Sequence, residues 1–261
     1  MQEDRMRRAL QVVSVFVLIV TNVNTGQSNA ASEKWISEAE ATLVRTDSYT
    51  AIFHKQERVR GTLKAEEVVF LKFGKPFKVY MKWVTDPGKG REVLYAEGWN
   101  RNQIKVRESW MRTGSSFNIR PDGAIAMAGS RHPITDSGLE RFLGLLERDV
   151  RKGILSEDVR WGELGEEILY GCRSRKMEYL FPKERAKGYY CYRAVINLDL
   201  ENRVPIRVRI FDWEGLLVED YGYENLKLNA GLTDLDFDPR NPEYRFSRPG
   251  TKDLTLKTHQ K

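Results

Sequence analysis

Three histidines are the side chains of this sequence best suited to proton transfer near neutral pH: His54, His132 and His259. A catalytic or metal-binding histidine needs a nucleophile, carboxylate or further ligand at a defined spacing. His54 alternates with apolar residues in a predicted strand, His132 precedes a proline in a predicted loop, and His259 lies in the C-terminal tail, so none has such a partner. The common enzyme signatures are also missing. We therefore predict a protein that is not an enzyme and uses no cofactor.

Three aspartates, Asp234, Asp236 and Asp238, form a D-x-D-x-D run like the start of a calcium-binding loop. The glycine that such a loop requires at its sixth position is proline here, and its bidentate glutamate is arginine. We interpret the run as the exposed side of a terminal strand that points Leu235 and Phe237 inward. No metal site is predicted.

Two cysteines, Cys172 and Cys191, could form one disulfide in an exported protein, which would add about 3 kcal/mol of stability. A hairpin turn over residues 183–188 would instead place Cys172 near Asp199, away from Cys191. The sequence leaves the disulfide open. Two lone cysteines do not make a metal site.

The elements that must position these side chains are mainly strands, and the clearest pattern lies within residues 68–97. There a bulky apolar column alternates with cationic and amphipathic residues, which puts the two sets on opposite faces of a sheet. The column consists of Phe77, Val79, Met81 and Trp83. Because a sheet with such a face must cover it, the column requires a second sheet, a helix or a ligand.

About eleven strands in hairpin succession and two helices are predicted. The first helix follows Ser32 as N-cap, and the second begins at a capping box of Ser137 and Glu140. The apolar stripe of the second helix comprises Leu139, Phe142, Leu143, Leu146 and Val150. The predicted strands are 49–58, 64–73, 77–84, 91–98, 103–107, 159–164, 172–181, 189–200, 205–213 and 216–228, with weaker candidates at 117–120 and 124–128. The predicted fold is α+β, mostly β: a curved antiparallel sheet whose concave face takes the second helix.

The N-terminal segment is typical of a secretory signal, with three arginines, an apolar run of about twelve residues and a small-residue cleavage site near residues 28–31. That run is shorter than the roughly twenty residues of a membrane span. We predict a signal peptide over residues 1–31, one domain over 32–246 and a tail over 247–261, with a periplasmic location. An uncleaved anchor or a buried strand are the alternatives for the first segment.

Charge and aromatic content indicate what the protein binds. The chain has 43 basic and 37 acidic residues mixed along its length, whereas a nucleic-acid-binding protein would cluster its basic residues, so no nucleic-acid partner is predicted. Six tryptophans, eleven tyrosines and eleven phenylalanines at strand spacing are more often core than ligand-binding residues, but only two helices are predicted here to cover the apolar area of the sheet. The uncovered remainder predicts a cleft suited to acyl chains.

Several segments, taken in order, resemble the periplasmic lipoprotein-carrier (LolA/LolB-like) superfamily. They are YTAIFHKQ at 49–56, KPFKVYMKW at 75–83, Asp86-Pro87, LYAEG at 94–98, the helix at 137–150, and YENLKLN at 223–229 with the tail that follows. The segments PGKGREVLY at 87–95, Tyr189-Tyr190 and GLTDLDFD at 231–238 resemble, more closely, a group of exported bacterial proteins of unknown function within that superfamily.

The resemblance implies an incomplete β-barrel with a helical lid over a hydrophobic cavity for acyl chains. It places a lipid-binding set on the cavity-facing strand and on the lid: Phe77, Val79, Met81, Trp83, Leu139, Phe142, Leu143 and Leu146. Lys75 stands where the carrier has an arginine that contacts the lid. Because lysine cannot make the forked hydrogen bonds of arginine, the resemblance does not extend to lipoprotein delivery in particular.

The expected function is that of a monomeric carrier for a lipid or an acylated protein, with a membrane-associated donor and acceptor as partners. One alternative is an envelope binding or regulatory module of the same fold that acts through a protein partner. The other alternative is a hydrolase, for which the sequence shows no acid–base or nucleophile set.

Overall fold

The computed structural model describes residues 29–246 of the 261-residue chain. The predicted signal segment, but for its last three residues, and the predicted tail over 247–261 lie outside the described residues. A twelve-stranded antiparallel sheet curves without closing into a barrel, and two α-helices accompany it. The predicted fold class is confirmed. No helix in the described range is long and apolar enough to cross a membrane.

The helices and strands follow the predicted order along the chain. The helices are α1 Asn29–Val44 and α2 Leu139–Leu155. The strands are β1 Ser48–Val59, β2 Thr62–Leu63, β3 Glu67–Gly74, β4 Lys78–Trp83, β5 Glu92–Ala96, β6 Ile104–Arg107, β7 Phe117–Ile119, β8 Arg160–Leu169, β9 Cys172–Leu180, β10 Arg193–Asp199, β11 Pro205–Phe211 and β12 Leu217–Leu228.

The sheet consists of two halves that meet at one seam. Its strand order is β7-β6-β5-β4-β3-β1-β12-β11-β10-β9-β8, with the short β2 paired to β1. Strands β1 to β7 run outward from the centre, α2 follows, and strands β8 to β12 return until β12 lies beside β1. The β1–β12 register places Glu57 opposite Glu219. This seam brings together side chains that are distant in sequence.

Helix α2 begins one residue later than predicted. Its N-cap residue is Gly138, with φ of 112°, and no side chain caps it, so the predicted capping box is wrong. The Leu139 N–H instead donates to the buried hydroxyl of Tyr49 at 3.0 Å. A Cβ atom at position 138 would lie 2.9 Å from the Phe73 ring, so the close approach of chain and sheet requires glycine.

The opposite face of β4 is covered by the chain's C-terminal segment. Tyr80 is 2% exposed and stacks on Tyr244 with 3.8 Å between ring centroids, and Phe246 packs edge-on against it. A predicted half-polar face is therefore a second small core, which Phe237 joins.

Two strand predictions are wrong, the weaker candidate at 124–128 and the terminal strand at the aspartate run, whereas the weaker candidate at 117–120 corresponds to β7. Residues Ala126–Ala128 form a 3₁₀ turn rather than a strand. Asp234–Phe237 is also a 3₁₀ helix, in which Leu235 is half exposed and Phe237 is buried. Its aspartates pair with lysines of the sheet instead of lining a strand edge: Asp236 lies 2.8 Å from Lys72.

The possible disulfide between Cys172 and Cys191 is not formed, and both thiols are free. Cys172 starts β9, whereas Cys191 lies beside Arg193, which pairs with Leu180 at the other end of that strand. At about 3.3 Å per residue the strand separates them by about 25 Å. A disulfide needs Cα atoms roughly 4.4–6.8 Å apart.

Candidate ligand-binding cavity

A cavity of about 420 Å³ lies between the sheet, α2 and the segment 117–138. Both halves of the sheet contribute apolar side chains to it. From the first half come Phe53, Val69, Met81, Trp83, Val93, Ile104 and Val106, and from the second Phe181, Ala194, Ile210 and Tyr223. Its volume falls within the roughly 300–1,000 Å³ of small-molecule sites. The curved sheet and its two accompanying helices therefore leave a space that could hold an apolar ligand.

The predicted lipid-binding set divides into two groups. Met81, Trp83, Phe142 and Leu146 line the cavity. The other four, Phe77, Val79, Leu139 and Leu143, pack in the core outside the lining. The period of two along β4 correctly identifies one face, but the cavity adjoins only the end of the strand nearest Trp83. That the lining members bind lipid remains a prediction.

Aromatic rings fill the space beside Phe77, at the start of the apolar column of β4. Phe77 packs edge-on against Phe73 and Tyr95, with ring centroids 5.4 and 5.8 Å apart. Phe73 in turn stacks on Tyr49 at 4.8 Å. These contacts, together with the start of α2 at Leu139, occupy the space that a ligand would need.

Lys75 contacts both helices, although it does not line the cavity. Its Nζ donates to the Leu43 carbonyl oxygen of α1 at 2.6 Å and lies 3.5 Å from Glu140 Oε1 of α2. A single ammonium group thus serves a helix C-terminus and a carboxylate at once. Its predicted role in holding a lid remains a prediction.

The mouth of the cavity lies along the segment 117–130. Ile125 is 71% exposed and Phe117 36% exposed, and both line the cavity. Side chains that face the cavity and the solvent together mark where a ligand could enter. The sequence predicted only weak structure for this segment and gave no role to it.

The segment is anchored at its end to the seam between β1 and β12. Ser130 accepts a hydrogen bond from Lys55 at 2.6 Å, and the Arg131 N–H donates to Glu57 at 2.9 Å. The Arg131 side chain donates to Glu219 at 2.7 Å, and His132 Nε2 lies 3.0 Å from the same oxygen. Two successive residues, Arg131 and His132, thus contact two carboxylates that are each 3% exposed, and Ser130 beside them binds Lys55.

The protonation of this anchor follows from its contacts. Burial alone would raise the pKa of Glu219, but hydrogen bonds from His132 and Tyr190 outweigh it and hold that pKa below its ordinary 4.5. The hydrogen bond to Glu219 raises the pKa of His132 above its ordinary 6.5, against the effect of burial. The pair is therefore ionic over a wider pH range than either group alone.

Both histidines of the described chain have carboxylate partners that sequence reasoning missed. His54 lies 3.0 Å from Glu66 and 2.9 Å from Glu224, outside the cavity. Glu219 and Glu224 lie on β12 and Glu66 directly precedes β3, so the register of the sheet, which local pattern does not report, brings them to the histidines. Among residues 29–246 no group of three or more histidines, cysteines or carboxylates could hold a metal ion.

The sequence profile of the DUF1571 family, described as a protein of unknown function, matches residues 46–246. The chain therefore belongs to this family, and the predicted membership of a group of unknown function is confirmed. No functionally curated protein matches the chain in sequence.

Several solved structures resemble the chain. The lipoprotein LppX of Mycobacterium tuberculosis has 13% identity and a TM-score of 0.48, over 81% of this chain and 100% of LppX. LprF of Mycobacterium bovis has 13% identity and a TM-score of 0.46, over 78% and 95%. A domain assigned as an outer membrane lipoprotein-sorting protein from Vibrio parahaemolyticus has 15% identity and a TM-score of 0.31, over 79% and 97%. Likenesses of this degree give no information about function.

Proposed function

We propose that this member of the DUF1571 family is an exported, non-enzymatic binding protein that holds a lipid, or the acyl chain of a lipid-modified protein, in its cavity. The observation that carries the proposal is the cavity of about 420 Å³ with apolar walls from both halves of the sheet. Each methylene transferred from water into such a space contributes about 0.8 kcal/mol, so one acyl chain supplies useful affinity. The signal-like N-terminal segment supports an envelope location.

Sequestration from water would let the protein act as a carrier between a membrane-associated donor and acceptor. The ligand would stay in the cavity while the complex diffuses and leave where an acceptor competes for it. No covalent chemistry is required for this role.

The route of entry is along the segment 117–130 rather than past a displaced α2. Leu139, Leu143 and Val150 of that helix are at most 3% exposed. Lifting the helix would expose these side chains at a cost of about 1.5–3 kcal/mol each, and would also break the Leu139–Tyr49 hydrogen bond. Moving the segment exposes little, because Ile125 already faces solvent.

Lipid extraction and probe binding test the proposal. Protein purified from the native envelope is extracted with organic solvent, the extract is analysed by mass spectrometry, and the delipidated protein is titrated with a fluorescent acyl probe. We expect one lipid class at near-stoichiometric amount and saturable probe binding. An extract without lipid together with a probe that does not bind would overturn the proposal.

Protein capture distinguishes the alternative of a module that acts through a partner. A stoichiometric protein partner whose binding is unaffected by substitution of Met81 or Phe142 would favour that alternative. The carrier proposal instead expects that the same substitutions abolish probe binding.

A further inference from the structure

The ionisable side chains that line the cavity are mostly acidic. Six carboxylates belong to the lining: Glu57, Glu67, Glu108, Asp136, Asp149 and Glu219. Among residues 29–246, only three basic side chains belong to it: Lys55, Arg91 and His132. A ligand inside the cavity therefore faces an excess of negative charge, although the chain as a whole carries a formal charge of +6.

Three of the carboxylates have cationic partners that stand outside the lining. Arg131 lies 2.7 Å from Glu219, Arg141 lies 3.5 Å from Asp136, and Arg148 lies 2.9 Å from Asp149. The three arginines are exposed, and none lines the cavity. Solvent screens the outward cations more strongly than the inward carboxylates, so the acidic groups dominate the field inside.

The basic groups of the lining are already engaged by protein acceptors. Lys55 Nζ lies 2.6 Å from the Ser130 hydroxyl and 3.3 Å from Glu57. Both carboxylate oxygens of Glu108 accept from Arg91 Nε at 3.0 Å. An anionic head group would have to displace one of these carboxylates before it gained a cation, and would leave that carboxylate unpaired.

Three of the acidic groups, Glu57, Glu67 and Glu219, form one continuous polar wall. Glu57 and Glu219 are direct neighbours across the seam, and Lys55 joins Glu57 to Glu67. On the other side, Asp149 accepts a hydrogen bond from the Tyr190 N–H at 2.6 Å. The apolar walls and this polar wall together give the cavity an amphiphilic interior. Carboxylate oxygens can accept several hydrogen bonds each, so this wall suits donors.

We propose, on the premise of the proposed function, that the ligand is an amphiphile whose polar end donates hydrogen bonds and carries no negative charge. Hydroxyl, amide and ammonium head groups meet this requirement. Free fatty acids and phosphate-terminated lipids of the same chain length do not. The wall therefore selects the class of head group, while the apolar sides accept the chain.

Four ligands with one twelve-carbon chain test the inference: dodecanoate, dodecyl phosphate, monododecanoylglycerol and dodecylammonium. Each displaces a fluorescent acyl probe from the delipidated protein at a fixed pH and ionic strength. We expect the glycerol and ammonium ligands to bind at least about tenfold more tightly than the two anions. Equal affinities, or tighter binding of an anion, would overturn the inference and leave the proposed function standing. Failure of all four to bind would overturn the proposed function as well.

A matched pair of substitutions assigns the selectivity to the wall. Glu67 lines the cavity and accepts from Trp83 Nε1 at 2.9 Å, which glutamine can still do, whereas Glu66 is exposed and lies outside the lining. Glu67→Gln should reduce the preference for the glycerol and ammonium ligands over dodecanoate by about twofold to fivefold. Glu66→Gln should leave this preference unchanged. An unchanged preference in Glu67→Gln, or an equal reduction in both variants, would contradict the assignment.

Discussion

At the scale of single residues, the anchor of segment 117–130 depends on two buried carboxylates. The Arg131 N–H donates to Glu57, and the Arg131 side chain donates to Glu219. Removal of such donors leaves a buried carboxylate without a partner, which is costly. The anchor is therefore expected to weaken when His132 or Glu219 changes its protonation state.

The pH dependence of the anchor follows from the two shifted groups. Because the pKa of His132 is raised, the stability that this residue contributes to the anchor is fully present below pH 6.5. It is lost as the pH rises through the raised pKa. Because the pKa of Glu219 is lowered, the stability that this residue contributes to the anchor is fully present above pH 4.5. It is lost as the pH falls through the lowered pKa. Both contributions are complete between these two values. Arg131, Tyr190 and Glu57 surround the pair: Tyr190 and Arg131 further lower the pKa of Glu219, while Glu57 raises and Arg131 lowers the pKa of His132.

Hydrogen exchange of residues 130–134, corrected for the intrinsic rate, measures the effect. We expect the greatest protection between pH 4.5 and 6.5 and a decline on either side. His132→Gln should flatten the decline at higher pH and shift the decline at lower pH to a higher pH, because His132 is one of the donors that lower the pKa of Glu219. Identical profiles for the wild type and this variant would contradict the assignment.

Phe142 gives the sharpest single test of the apolar walls. It is partly buried on α2 and lines the cavity, so Phe142→Glu would place a charge where a ligand's chain lies. We expect probe affinity to fall by at least about tenfold. The control is Leu155→Glu on the same helix, where the side chain is 86% exposed. Circular dichroism establishes that both variants fold; wild-type affinity in folded Phe142→Glu would rule this site out.

Sequence reasoning located some of these residues and missed others for a physical reason. Met81 and Trp83 were found because the period of two reports which face a side chain occupies. It does not report how far a void extends, so Phe77 and Val79 were assigned to the site although they pack against other side chains. Glu219 was missed because its environment depends on the register of β12 with β1.

At the scale of elements, α2 is a wall of the cavity whose start is defined by backbone geometry. The helix itself was predicted from its apolar stripe, which its buried residues confirm. The first residue of the helix was not predicted, because the Tyr49 hydroxyl that accepts a hydrogen bond from the Leu139 N–H belongs to a distant strand. Local capping rules cannot anticipate a partner that comes from a distant strand.

Gly138→Ala tests whether this start is as constrained as the geometry indicates. The residue has φ of 112°, and a Cβ atom would lie 2.9 Å from the Phe73 ring. We expect a loss of about 1–3 kcal/mol in the free energy of unfolding, measured by denaturant titration. Gly144→Ala is the control, because this glycine lies inside α2 with nothing near it, and should gain about 0.5–1 kcal/mol. A Gly138→Ala variant as stable as the wild type would contradict the account.

At the scale of the whole molecule, the sheet is a scaffold in two halves whose seam and curvature create the cavity. The fold class and the antiparallel hairpins were predictable, because strands and turns are encoded locally. The return of β12 to β1 was not predictable from local pattern. A local path, along β9 to its hairpin with β10, separates the two cysteines, whose even count suggested a disulfide.

The thiols provide a test of this path. We expect both cysteines to be reduced in protein isolated from an oxidising compartment. Cys172 is partly exposed and should react slowly with a thiol reagent, since burial raises its pKa. Cys191, whose pKa burial also raises, should react only after unfolding. Unfolded protein that shows no free thiol would contradict the fold.

The central claim is that the cavity between the sheet and α2 is the binding site. Its most direct test is photolabelling of the purified protein with a twelve-carbon alcohol that carries a diazirine at its chain end, followed by peptide mapping with mass spectrometry. We expect a saturable label on the walls of the cavity, at Met81, Trp83, Phe142 or Leu146. Label confined to exposed side chains such as Trp110 and Ile168, or no saturable label at all, would contradict the claim.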